Sequence, residues 1–165
     1  MPADESKHPT LSVVRRENTS PEVLLRKYLH SAGFRFRLHR KDLPGTPDIV
    51  LPRFKAAVFV HGCFWHQHSN CELAVLPKSN IEFWREKFRK NQARDEEART
   101  RLRAQGWRVL TVWERGLSKA SPETRKKVLG KVSEWLRSQD SAKELPDLCR
   151  ASPWWRGATK ESQSS

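Results

Sequence analysis

Asp48-Ile49-Val50-Leu51-Pro52-Arg53-Phe54-Lys55-Ala56-Ala57-Val58-Phe59-Val60 holds two short β-rich runs, residues 48–51 and 55–60, around a three-residue link. Two such runs split by a proline-bearing connection predict an antiparallel hairpin. A turn centred on Pro52-Arg53-Phe54 sets Asp48 roughly opposite Val60. The acid that opens the first strand then meets the residue that closes the second. An aspartate directly after Pro47 is equally well placed to cap a turn.

The hairpin runs into Val60-His61-Gly62-Cys63-Phe64-Trp65-His66-Gln67-His68-Ser69-Asn70-Cys71, which carries three of the six histidines and two of the three cysteines. Cys63, His68 and Cys71 are soft and borderline donors suited to zinc, one short of a closed four-ligand site. The other reading is a buried cysteine beside two polar loop residues. A histidine that is not a ligand and lies close to Asp48, as His66 can, acts as a general base near neutral pH. Asp48 is a hard oxygen ligand for magnesium. A magnesium site, a base and a basic surface are the parts of phosphodiester hydrolysis.

Beyond the loop, residues 80–105 read as helix with room for one break. Ile81, Trp84 and Phe88 share a face early, and Ala98 and Leu102 share one late. Gly106 ends it, and Trp107–Trp113 is a near-continuous apolar strand, as a buried parallel position after a crossover helix requires. Residues 122–137 read as an amphipathic helix with Val128, Val132, Trp135 and Leu136 inward. Residues 138–165 read as an irregular tail, in which Trp154 and Trp155 pack back and the serine-rich end is disordered.

Upstream, Ser20 is a candidate N-cap, Pro21 fits the first helical position, and Gly33 fits the left-handed position past the end. Leu25, Tyr28, Leu29 and Ala32 form the stripe between them. Glu22 stands at the front of this helix, where a first-turn acid complements the dipole. Phe34–His39 alternates as a half-buried strand with a basic outer face, and Leu43-Pro44-Gly45-Thr46-Pro47 is turn punctuation. Residues 1–18 form a polar arm. Its Leu11 and Val14, followed by Arg15 and Arg16, serve either as wedges in a DNA groove or as a tail packed on the domain.

Lys and Arg total 32 against 19 Asp and Glu, a net charge of +13. That balance favours a polyanion, nucleic acid first and an anionic membrane second. Seven tryptophans tilt it toward nucleic acid, because rings stack on bases. Three unevenly spaced cysteines make no disulfide framework and suit a reducing compartment. No apolar leader follows Met1, and the uncharged run from Ala56 to Cys71 is too short and polar to span a bilayer. The expectation is a cytoplasmic protein of one main domain, residues 19–137, between the arm and the tail.

Several runs together resemble the very short patch repair endonucleases, enzymes that nick DNA at T:G mismatches. They are Asn18-Thr19-Ser20-Pro21-Glu22, Leu43-Pro44-Gly45-Thr46-Pro47-Asp48, His61-Gly62-Cys63-Phe64-Trp65-His66, Glu82-Phe83-Trp84, Asn91 with Arg94-Asp95, Gly106-Trp107-Arg108-Val109, and Val112-Trp113-Glu114. The likeness covers about residues 10–117, and its pairing of PGxPD with HGCFWH is highly specific. It implies an α/β, restriction-endonuclease-like fold, a central mixed sheet flanked by helices. It implies that Asp48 and the backbone carbonyl of Val60 hold magnesium, and that no Glu-x-Lys pair serves on that strand. His66 matches the general base, Asp95 the acid that orients it, Glu22 the holder of a metal-bound water, and His61 a phosphate or water contact. Phe64, Trp65 and Trp84 match aromatics that wedge beside the mismatch from the major groove, and Leu11 and Val14 match minor-groove inserts. The zinc ligands would be Cys63, His68 and Cys71. Arg115 stands where the family has a fourth ligand, a cysteine, so three ligands plus water, recruitment of Cys149, or no zinc all remain open.

The resemblance thus implies a monomeric, magnesium-dependent nuclease on double-stranded, nucleoid DNA. It would nick 5′ to the thymine of a T:G mismatch left by deamination of 5-methylcytosine. The alternatives are a related nuclease of looser mismatch or sequence specificity, or a mismatch-binding module without catalysis. The presence of Glu22, Asp48, His61, His66 and Asp95 disfavours the last.

Overall fold

The computed structural model describes residues 17–69 and 71–146. Leu11, Val14, Cys149, Trp154 and Trp155 lie outside those residues. In chain order the elements are α1 (Ser20–Ser31), β1 (Arg37–Leu38), β2 (Ile49–Leu51), β3 (Ala56–His61), α2 (Ile81–Ala104), β4 (Arg108–Trp113), α3 (Pro122–Arg137) and β5 (Ala142–Leu145). The strands make one sheet in the order β1-β2-β3-β4-β5. β1, β2 and β3 pair antiparallel, whereas β3, β4 and β5 pair parallel, so the sheet is mixed and the fold is α/β.

Alternation along the strands builds a core on each face. Ala56 and Val58 of β3 join Leu110 and Val112 of β4 under α1 and α3, where Leu25, Leu29, Val128, Val132 and Trp135 are buried. Ala57 and Phe59, with Val109, face Ala98 and Leu102 of α2. Covered on both faces, β3 and β4 must be apolar nearly throughout, as AAVFVH and RVLTVW are. Each leucine buried this way contributes about 1.5–3 kcal/mol.

Two tight features fix the elements against one another. The turn before β2 is pressed onto α2. Gly45 has φ +72°, and a Cβ there would come 2.5 Å from that of Ala98. At the other end of the sheet the Arg108 guanidinium lies 4.2 Å from the Trp135 ring centre. It donates to the carbonyls of Trp135 (2.6 Å), Leu136 (3.2 Å) and Asp140 (2.9 Å), closing the end of α3.

The structure departs from the sequence expectations in five places. Thr19, not Ser20, takes the N-cap position of α1, with no side-chain capping bond. The strand expected over residues 34–39 shrinks to Arg37–Leu38, because Phe34 turns into the core and His39 adopts φ +46°. The helix over 80–105 runs unbroken from Ile81 to Ala104. Ile49 pairs with Val58, so the register sets Asp48 one residue short of Val60. Finally, part of the stretch expected to be irregular is β5, a parallel edge strand whose Leu145 is buried and whose Glu144 faces out.

Candidate active site

β3 delivers its last two residues to opposite faces. Val60 packs with the α1/α3 core, and His61 turns to the α2 side, 4 % exposed, beside its register partner Trp113. The chain then winds through a tight loop closed by His66 N–H to the Gly62 carbonyl (3.1 Å) and His68 N–H to that of Cys63 (3.0 Å). This winding stacks the His66 ring on His61, with centres 3.8 Å apart and planes 4° from parallel.

α2 holds the loop from outside. Asn91 donates its amide to the Trp65 carbonyl (3.0 Å), and one turn later Asp95 Oδ2 lies 2.6 Å from His66 Nδ1. Residues four apart share a helix face, so one docked helix makes both contacts. An ionised carboxylate only accepts. Nδ1 therefore carries the proton, and Nε2 keeps a lone pair free to take one. Burial, then His66, Arg99 and His68, hold His61 well below the ordinary histidine range, so it stays neutral. Its Nδ1 is buried with no hydrogen-bond partner.

The second group of donors is Glu22, His39 and Asp48, whose ligand atoms lie within 4.8 Å of one another. Glu22, 1 % exposed, comes from the first turn of α1 and bonds His39 Nε2. Asp48 Oδ2 accepts from Val60 N–H at 2.7 Å, which is how the two residues meet despite the shifted register. Burial pushes the Asp48 carboxyl up to about 7. The Val60 bond opposes this, Glu22 adds to it, and His39 and His66 oppose it. A buried and a half-buried carboxyl side by side fit a divalent cation with oxygen preference.

Cys63, His68 and Cys71 also come together, with donor atoms within 4.8 Å. Cys63 Sγ lies 3.5 Å from His68 Nδ1, and burial followed by Cys71 pushes the Cys63 thiol up. These donors fill three positions of a zinc tetrahedron. Arg115 does not fill the fourth: its guanidinium pairs with Glu72 at 2.7 Å and donates to the Lys119 carbonyl. Among the described residues the set stays at three.

Beside the loop stand the aromatics. Phe64 meets Trp65, Trp84 and Phe88 edge-on, with ring centres 5.1–5.5 Å apart. Trp84 is only 5 % exposed, so it supports Phe64 and Trp65 from below. The open ring is Phe83, 57 % exposed, with Lys87 Nζ 5.9 Å from both it and Trp65. Sequence reasoning singled out neither Phe83 nor His39 as a site residue. An aromatic off the buried stripe of an amphipathic helix was the available signal for Phe83. Glu114 was missed as well; its Oε1 accepts from Cys63 N–H at 2.9 Å and pins the start of the loop.

The chain is similar to several known proteins. The profile of the family described as DNA mismatch endonuclease Vsr matches residues 3–73. Type II nicking enzyme V.XorIIP of Xanthomonas oryzae pv. oryzae is 55 % identical over 105 residues, 64 % of this chain and 76 % of that protein. Type II nicking enzyme V.NmeAIP of Neisseria meningitidis is 48 % identical over 101 residues, 61 % and 71 % of the two chains. DNA mismatch endonuclease Vsr of Escherichia coli is 35 % identical over 135 residues, 82 % and 86 %. The chain belongs to the DNA mismatch endonuclease Vsr family and is a DNA endonuclease.

Proposed function

We propose that this endonuclease hydrolyses the phosphodiester 5′ to the thymine of a T:G mismatch, with magnesium, in repair of deaminated 5-methylcytosine. The observation that carries the reading is the His66–Asp95 pair at 2.6 Å, set near the Glu22 and Asp48 carboxyls on a basic chain. His66 Nε2 takes the proton of the attacking water. Asp95 accepts from Nδ1–H and balances the imidazolium that forms. Asp48, with the Val60 carbonyl beside it, would hold the magnesium ion, and Glu22 would orient a water on it. When bound, the ion supplies the charge that polarises the phosphate. His61 stacks on His66 and keeps the base's ring in plane.

Phe64 and Trp65 would fill the gap beside the distorted pair from the major groove, and Leu11 and Val14 of the arm would enter from the minor groove. Unstacking costs least at a mismatch, which is where such wedges discriminate. The names of the nicking relatives support cutting of one strand. No described helix is long and apolar enough to cross a membrane. We infer a monomer acting on double-stranded DNA of the nucleoid.

The test is a strand-labelled nicking assay on a T:G duplex and its T:A control, with magnesium and then with EDTA. Cutting of the thymine strand of T:G alone, abolished by EDTA, is expected. Equal cutting of both duplexes would leave a nuclease of looser specificity; DNA binding without cutting would leave a mismatch-binding module.

A further inference from the structure

His39 joins two carboxyls that repel each other. Its ring bonds Glu22 through Nε2, and its main-chain N–H donates to the Asp48 carbonyl at 3.1 Å. Both bonds need the backbone as it is, at φ +46°, in the left-handed region that histidine, asparagine and aspartate enter more readily than most residues. The ring is 14 % exposed, so it is enclosed with the carboxyls rather than displayed to solvent. Glu22 also has a cation within reach, Arg26 at 3.6 Å, one turn along α1 and nearer the surface. Arg26, nearer the surface, thus competes with His39 for the Glu22 carboxylate. The imidazole is what holds it in.

We propose that His39 is a positioning residue of the nuclease centre: it fixes the Glu22 carboxylate beside Asp48, where Glu22 orients a water on the divalent cation that Asp48 would hold. The proposal rests on the reading of Asp48 as the cation's holder with Glu22 beside it. It gives His39 no bond to the cation. Partners that orient metal-binding groups typically carry 10–100-fold in metal affinity.

Mn2+ provides the probe, read by electron paramagnetic resonance on the full chain without DNA. His39→Asn keeps the left-handed backbone, which asparagine tolerates, but is too short to reach Glu22. His39→Gln extends an amide N–H that can reach it. His39→Asn is expected to bind Mn2+ at least about tenfold more weakly, while His39→Gln stays close to the wild type. Unchanged Mn2+ affinity in His39→Asn would overturn the proposal. So would equal loss in both variants, which would make the ring itself a ligand. Glu22→Gln in the His39→Asn background should add little, and additive losses would show that His39 does not act through Glu22. A wild type that binds no Mn2+ sinks the cation site itself. Mn2+ binding indifferent to His39 sinks this proposal alone.

Discussion

Burial raises the Asp48 carboxyl to about 7, with the Val60 N–H opposing and Glu22 reinforcing the shift. Between its unfolded value near 4 and about 7, the folded chain therefore holds a proton that the unfolded chain has lost. Stability from this group is full below that window and falls as pH rises through it. Asp48→Asn has no such proton to lose. In metal-free buffer the variant should gain on the wild type between pH 5 and pH 8, by on the order of 1–3 kcal/mol in urea titrations. The same variant should not nick DNA with magnesium; undiminished nicking would remove Asp48 from the cation site. His66→Ala should nick roughly 10²–10⁴-fold more slowly with its far-ultraviolet spectrum unchanged. Unfolding instead would make His66 a structural residue. Asp48 and His66 stood out in the sequence because few residue types suit the proposed chemistry and both lie close to the hairpin. Asp95, far along the chain from His66, was assigned only by resemblance, since nothing local says that α2 docks there. His39 looked like the polar end of an alternating strand. A left-handed backbone, which no side-chain pattern announces, aims its ring.

Three consecutive residues from the last of β4 onward hold the histidine-bearing loop, each by a different force. Trp113 stacks on His68 with ring centres 4.2 Å apart, Glu114 accepts from Cys63 N–H, and Arg115 pairs with Glu72. The last pair is partly exposed and contributes about 0–1 kcal/mol, far less than a tightly held metal. Purified protein should therefore carry less than one zinc per chain. Arg115→Cys should raise both zinc content and thermal stability, by elemental analysis and calorimetry. One tight zinc in both proteins would mean that another group, such as Cys149, completes the set. No zinc in either would make Cys63, His68 and Cys71 packing residues. Among the elements, α3 was legible to its ends because Ser121 accepts from Thr124 N–H and Pro122 takes the first helical position. The hairpin was legible for its proline link. β5 was not, because AKEL buries only one apolar side chain, and a charged edge strand looks like a loop.

At the scale of the molecule, the net charge of +13 is the binding energy most exposed to salt. Each phosphate neutralised contributes a slope of about −0.9 to the plot of log affinity against log salt. A steep slope, equal on T:G and T:A duplexes, is expected; discrimination between them should survive added salt because it comes from rings such as Trp65. A discrimination that vanishes with salt would place it in the phosphate contacts instead. The fold class came from two legible facts, an antiparallel hairpin and a parallel strand after a long helix. What the sequence withheld was how α2 lies on the sheet, and that is set by Gly45 against Ala98. Asp48 follows Gly45 by three residues, and Asp95 precedes Ala98 by three. The contact is thus the pivot of a pair of jaws, one bearing Asp48 and the other Asp95, the partner of His66. With no space left between Gly45 and Ala98, the bite cannot narrow, and any side chain at residue 45 would widen it. A form of the chain whose long helix lifted off would part Asp95 from His66 while keeping its net charge, and is expected to bind DNA without cutting it.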